Sequence, residues 1–358
     1  MKLSQLQTPA LVVNADVLEK NERAMAALLA GSTARLRPHY KSHKCAAIAH
    51  RQIAAGAVGM TCAKLEEAED LVDSGVADVL IANQIVDPRK LRRAAELALL
   101  CRLTVCVDDA ENARALSQAA VQAGATVHVL VEYEIGMERC GVADADDYVA
   151  LAKLVDSLPG LHYDGIQAYA GHVSHMPSAQ ERLALTAQNE QAVRSLLEKL
   201  AQAGLTAQTI SGGSTGTAAI KARHGLYTEL QAGSYLFMDS TYRQLHLPFE
   251  NSLFLLTTVV SRRDGLAIMD AGVKSLGVDQ DDPVLFTLGG AEIHCARVEA
   301  NEEHLKLFAP DRALALGEKV LVMPGHCCST VNLHERIYLY RSGEIVDRLQ
   351  VTARGKSR

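Results

Sequence analysis

Arg37-Pro38-His39-Tyr40-Lys41-Ser42-His43-Lys44 packs Arg37, His39, Lys41, His43 and Lys44 into one short segment. It follows a strand-like run and precedes an Ala-rich helical run. Basic groups so close together repel, which suits an anion-binding loop or an amine that loses its proton easily and becomes a nucleophile. A solvated basic loop would show the same spacing. Position decides between these readings, and position depends on the rhythm of the surrounding chain.

That rhythm is an alternation. Strand-like runs fall at 35–39, 59–63, 78–83, 102–107, 126–133, 163–169, 207–212 and 228–232. Helical spacing occupies 15–30, 64–74, 87–100, 109–123, 144–157 and 177–203, whereas 213–227 is too short for a full helix. Eight strands alternating with helices predict a (β/α)8 TIM-type barrel, with a doubly wound open sheet as the alternative. After residue 247 the helical period gives way to strand-like runs at 254–260, 265–272, 292–300, 318–326 and 336–351, with a hairpin turn at Arg341-Ser342-Gly343-Glu344. The expected division is therefore an α/β barrel over 14–247 and a β-rich domain over 248–358, joined by the strand 8–13.

Composition narrows the class. The chain has 358 residues, is 48% hydrophobic and carries a net charge of −6, which suits an Ala- and Leu-rich α/β enzyme and not a nucleic-acid binder. No apolar run reaches the roughly 18 residues of a membrane span, and the N-terminus lacks a secretory core. The 8 cysteines show no disulfide-framework spacing, so free thiols in a reducing cytoplasm are expected.

In a barrel, chemistry gathers where the strands end. The first strand ends at His39 and leads into Lys41, the fifth leads to Glu132 and Arg139, and the sixth to Tyr169, His172 and His175. The seventh runs into Ser211-Gly212-Gly213-Ser214-Thr215-Gly216-Thr217. Paired glycines let a backbone approach an anion, and hydroxyls and N–H groups supply donors, although a plain turn has the same composition. An amine nucleophile and a phosphate cradle at one barrel mouth fit pyridoxal 5′-phosphate. A third signal is His326-Cys327-Cys328. In an extended segment His326 and Cys328 share a side and would ligate a borderline ion such as Zn²⁺, whereas a buried cysteine beside a surface histidine is the plainer account.

With these motifs the chain resembles the D-threonine aldolase / D-serine dehydratase family of fold-type III pyridoxal-phosphate enzymes, relatives of alanine racemase. The likeness runs through RPHYKSHK, ERCGV (138–142), QAYAGHVSH (167–175), SGGSTGT (211–217), YTELQAGSYLFMDS (227–240), MDAGVKS (269–275) and PGHCCSTVNLHE (324–335). The resemblance implies Lys41 as the Schiff-base lysine, Arg139 near the cofactor ring, and Tyr169 beside the pyridine. It implies Gly212, Gly213, Ser214, Thr215 and Gly216, with Tyr235, as the phosphate site. It further implies His175 near the substrate, His326 and Cys328 as metal ligands, and a homodimer.

Family aldolases tend to have Asp where this chain has Cys328, a hard ligand for Mn²⁺ or Mg²⁺, whereas dehydratase-like members tend to have Cys with Zn²⁺. The expectation is therefore a lyase dehydrating a D-3-hydroxy amino acid (D-serine, D-threonine or a 3-hydroxy-D-aspartate) to a 2-oxo acid and ammonia. The alternative is retro-aldol cleavage to glycine and an aldehyde. A racemase would have no use for His326 and Cys328, and a non-catalytic pyridoxal-phosphate carrier would lack the C-terminal domain.

Overall fold

The computed structural model describes all 358 residues. The chain divides into two compact units. One comprises residues 26–41, 48–233 and 356–358, the other 1–25, 42–47 and 234–355.

The first unit is built on an 8-stranded, all-parallel sheet. Its order is Arg35–Leu36, Glu229–Leu230, Thr209–Gly212, Leu161–Ala168, Val127–Glu132, Arg102–Val107, Asp78–Ile81 and Met60–Cys62. A parallel bridge between His39 and Thr61 joins the two ends of that path and closes the barrel. The strands are short apolar runs because they are covered on both faces, as in Val105, Cys106 and Val107 and in Val129, Leu130 and Val131, all buried.

The helices between them begin where their sequences supply caps. Asp87, Asp109 and Asp144 each accept two backbone N–H groups in the first turns of Pro88–Leu97, Ala110–Ala123 and Ala145–Ser157. Ser178 caps Ala179–Gln202 in the same way. The expected short connection 213–227 does contain a helix, Ala218–His224, ended by Gly225 in the left-handed region at φ 67°. No helix is long and apolar enough to cross a membrane.

The opposite ends of the strands form a charged floor. Arg37 donates to Glu229 at 2.7 and 2.8 Å and to Asp78 at 2.6 Å. Arg102 donates to Asp164 at 2.5 Å. Arg37 is thus a structural ion-pair residue and is not part of an anion-binding loop.

The second unit carries a 10-stranded sheet. Ala10–Asn14 lies in its middle, antiparallel to Leu253–Arg263 and parallel to Arg336–Arg341, so the first strand does join the C-terminal sheet. The hairpin Arg336–Arg341 / Glu344–Gln350 forms as expected. Two strands carry no clear sequence signal: Val284–Thr287, paired with Lys319–Met323, and Leu305–Phe308, paired with Leu266–Met269.

Inside the barrel unit, Lys221 is almost fully buried, its Nζ 3.6 Å from the centre of the Tyr227 ring and 3.8 Å from Glu190. Burial lowers its pKa from 10.5 to about 8, against an upward pull from Glu190. Between those two values the unfolded chain holds a proton that the folded one has released, so this group makes stability rise with pH across that window. Lys221→Met is expected to remove that upward contribution. The check is the melting temperature of both proteins from about pH 7.5 to pH 10. Superimposable profiles would mean that Lys221 titrates as it does in water.

Candidate active site

The barrel mouth in the first unit is a cleft of about 620 Å³, with Lys41, His39, Glu132, Arg139, Gln167 and Tyr169 among the side chains on its wall. Each comes from the C-terminal end of a strand or the loop after it. Of the basic segment, only His39 and Lys41 reach this cleft. His43 and Lys44 are buried in the other unit, where the Lys44 Nζ lies 3.5 Å from the Ala353 carbonyl. Tyr40 is buried and donates to Asp70 at 2.5 Å, which fixes the backbone just before Lys41. Lys41 itself is exposed, as an amine that must receive an aldehyde has to be.

Beside it, Arg139 stacks its guanidinium 5.4 Å from the centre of the Tyr169 ring. Arg139 also stands 3.8 Å from Glu132, which accepts from Gln84 at 2.6 Å. Burial pushes the Glu132 carboxyl above its ordinary value, against the opposing pull of Gln84 and Arg139. The strand ends place Gln84 and Glu132 at the mouth from the sequence alone, but which of them meet, and with what, is visible only in three dimensions.

The glycine loop is folded on itself. The Ser214 N–H donates to Thr217 Oγ1 at 3.1 Å, and both hydroxyls are buried. A Cβ at Gly212 would sit 2.1 Å from the Ala168 carbonyl oxygen, and one at Gly216 2.0 Å from that of Ser174. The loop therefore lies backbone-to-backbone against the ends of its neighbours, leaving hydroxyls and N–H groups as its chemistry. His175 follows the turn Gly171–Val173 and is half-buried, but it is not on the wall of the cleft. Tyr235 belongs to the other unit, where its ring packs 5.6 Å from that of Phe249.

An exposed amine, an aromatic ring with a cation stacked on it, and a close-packed glycine loop fit an aromatic aldehyde carrying a phosphate. They are the groups that would hold pyridoxal 5′-phosphate: Lys41 its aldehyde carbon, Tyr169 and Arg139 its ring, and residues 212–216 its phosphate.

The second unit brings His326 and Cys328 together, though not on an extended strand. Lys319–Met323 is the strand, and Cys327–Val331 is a short helix with His326 at its N-cap. The Cys328 thiol hydrogen-bonds the His326 ring, while Cys327 is fully buried and its backbone N–H donates to Asp239 at 3.0 Å. A hydrogen bond with Cys328, together with burial, holds the Cys327 thiol protonated.

His326 Nδ1 lies 2.6 Å from Asp279 Oδ2. The other Asp279 oxygen accepts from Ser329 Oγ, and Gly277 gives Ser329 room, since a Cβ there would meet Ser329 Oγ at 2.1 Å. Burial lowers the proton affinity of His326, but Cys328 and Asp279 outweigh it and raise the pKa to about 9. A carboxylate on Nδ1 leaves Nε2 to face an ion, the arrangement that metal-bound histidines use. Imidazole plus thiolate suits a borderline divalent cation. Asp279 had no sequence signal, lying 47 residues before His326.

The comparisons with known proteins agree with this layout. Residues 13–241 match the family model for the alanine racemase N-terminal domain, and residues 252–340 that for the serine dehydratase domain. The chain is 40% identical to a D-threonine aldolase from Arthrobacter sp. over 363 residues, covering 99% of this chain and 95% of that one. The crystal structure of D-threonine aldolase from Filomicrobium marinum superposes with a TM-score of 0.95 at 40% identity, covering 100% of this chain and 98% of the other. The D-threo-3-hydroxyaspartate dehydratase of Delftia sp. (strain HT23) is 30% identical over 353 residues, 92% of each chain. A metal-free cysteine-to-alanine variant of D-threo-3-hydroxyaspartate dehydratase superposes with a TM-score of 0.89 at 28% identity, covering 98% of both chains.

If Asp279 orients His326 toward an ion, Asp279→Asn should weaken metal affinity roughly 10–100-fold while leaving the cofactor colour in place. Competition with a chromophoric chelator measures it. Unchanged affinity would reduce Asp279 to a surface partner of Ser329.

Proposed function

Because the chain belongs to the fold-type III pyridoxal-phosphate family that contains D-threonine aldolase and the 3-hydroxyaspartate lyases, we propose that it cleaves the Cα–Cβ bond of D-3-hydroxy amino acids, releasing glycine and an aldehyde. The observation that carries this is 40% identity to a D-threonine aldolase across 99% of the chain, with an exposed amine at the mouth of the barrel. Bound pyridoxal phosphate supplies an electron sink for negative charge developing at Cα. Lys41 would anchor it, Tyr169 and Arg139 would hold its ring, and residues 212–216 would hold its phosphate. The family resemblance makes His175 the residue that would take the proton of the substrate β-hydroxyl as the Cα–Cβ bond breaks, Cα then taking up a proton to give glycine. Because His175 is not on the cleft wall, it would have to turn toward the substrate to do so. In the other unit, His326 and Cys328 hold a divalent ion, whose Lewis acidity suits a hydroxyl-bearing substrate.

Dehydration to a 2-oxo acid and ammonia is the second reading, favoured by Cys328. A thiolate selects a softer ion than a carboxylate does, and Zn²⁺ is the ion of choice for a His–Cys pair. In that reading Lys41 removes the α-proton and the β-hydroxyl leaves. The order of the two readings is the reverse of what Cys328 alone suggests, because likeness over the full chain outweighs one ligand.

Product analysis of the purified enzyme with D-threonine, with and without added Zn²⁺ or Mn²⁺, separates them. Glycine plus an aldehyde is the expected result, and a 2-oxo acid plus ammonia would transfer the assignment to the second reading. Under either, Lys41→Ala is expected to lose the visible absorbance of the lysine-bound cofactor. Colour that survives the substitution would require a different anchoring residue.

A further inference from the structure

Two histidines and a carboxylate meet at the floor of the barrel, at the strand ends opposite those that lead to Lys41. His128 is the second residue of Val127–Glu132 and His162 the second residue of Leu161–Ala168, and the two are in register across the parallel pair. The register shifts just after them, with Val129 opposite Tyr163 and Leu130 opposite Gly165. Asp164 is therefore the extra residue of a bulge, and its carboxylate is aimed back at both rings. Asp164 Oδ1 lies 3.0 Å from His128 Nδ1 and 2.9 Å from His162 Nδ1, and the ring centres are 5.0 Å apart.

We propose that His128, His162 and Asp164 form a divalent-cation site, taking Zn²⁺ through two imidazole nitrogens and one carboxylate oxygen with water in the remaining position. It is separate from the His326–Cys328 pair and does not depend on the lyase reading. Bonds of about 2.0–2.1 Å in a tetrahedron separate ligand atoms by about 3.3 Å. Each Nδ1 stands close to that distance from Asp164 Oδ1, and the three ligand atoms all lie within 4.8 Å of one another.

The carboxylate is already held for the purpose. Arg102 engages Oδ2 at 2.5 Å, which leaves Oδ1 as the oxygen facing the rings. An ion-pair network at this floor would need only Arg102 and Asp164. Two in-register imidazoles converging on the other oxygen are the additional feature, and they suit a cation. Asp164 and most of the His128 ring are buried, whereas the His162 side chain is 52% exposed and gives the ion a way in from solvent. On loading, each Nδ1 turns its lone pair to the ion and its ring proton moves to Nε2. Arg102 Nη1, now 3.2 Å from His128 Nε2, then gives up that one contact while Nη2 keeps Asp164 Oδ2, an adjustment its 44% exposed side chain allows.

Metal analysis after equilibrium dialysis against micromolar Zn²⁺ tests this on the purified full-length enzyme. Cys328→Ala disables the thiolate pair and is expected to retain one zinc per chain. Adding His162→Gln, or separately His128→Gln, should abolish that zinc with the cofactor colour and melting temperature kept. Cys328→Ala protein that binds no zinc would overturn the proposal. So would a zinc that stays bound after both histidine substitutions.

Discussion

The guanidinium of Arg37 braces the seam at which the barrel closes. It is 5% exposed and reaches Glu229 on the strand to one side and Asp78 on a strand beyond the other. The backbone seam it spans is thin. Leu36 accepts from Val58, Pro38 accepts from Thr61, the Arg37 carbonyl takes the Thr61 hydroxyl, and a single bridge at His39 completes it. A buried pair broken on one side typically costs about 3–5 kcal/mol, so the charge network outweighs any single hydrogen bond of the seam. The Lys41 amine depends on this closure. Lys41 stands two residues past the bridge, and with Tyr40 anchored on Asp70 its exit direction is set by the floor beneath it.

The same residues explain what could and could not be read in the sequence. All eight barrel strands were legible because strands covered on both faces are written as apolar runs, and the capping residues Asp87, Asp109 and Asp144 mark the helices between them. The basic segment was legible as important but not as divided. Its members look like one cluster on paper. The chain turns within it, so that Arg37 serves the floor, His39 and Lys41 the mouth, and His43 and Lys44 the second unit. Val284–Thr287 and Leu305–Phe308 were missed because they are half-covered, with mixed burial along each strand and no run long enough to stand out.

Side-chain convergence is the part no spacing announces. His326 and Cys328 meet across a helix start and not along an extended strand: His326 is the extended N-cap residue and Cys328 lies in the first turn. Asp279 becomes visible only when the loop carrying it packs on Ser329 through Gly277. His128 and His162 sit inside ordinary strands, and only their register, with the bulge at Asp164, turns two unremarkable histidines into neighbours.

The central place of Ala10–Asn14 in the second sheet bears on how the chain is made. This strand leaves the ribosome before every barrel strand, yet it is flanked by Leu253–Arg263 and Arg336–Arg341. It has no partner until all the barrel strands have been synthesised. The barrel strands, by contrast, pair mostly with sequence neighbours and have much shorter loops to close. Synthesis from the N-terminus thus leaves an apolar β-strand waiting through the folding of everything between its partners, an exposed edge of the kind that invites association with other chains. The pairing of its last strands with its first closes a far longer loop than any barrel-strand pairing between sequence neighbours does.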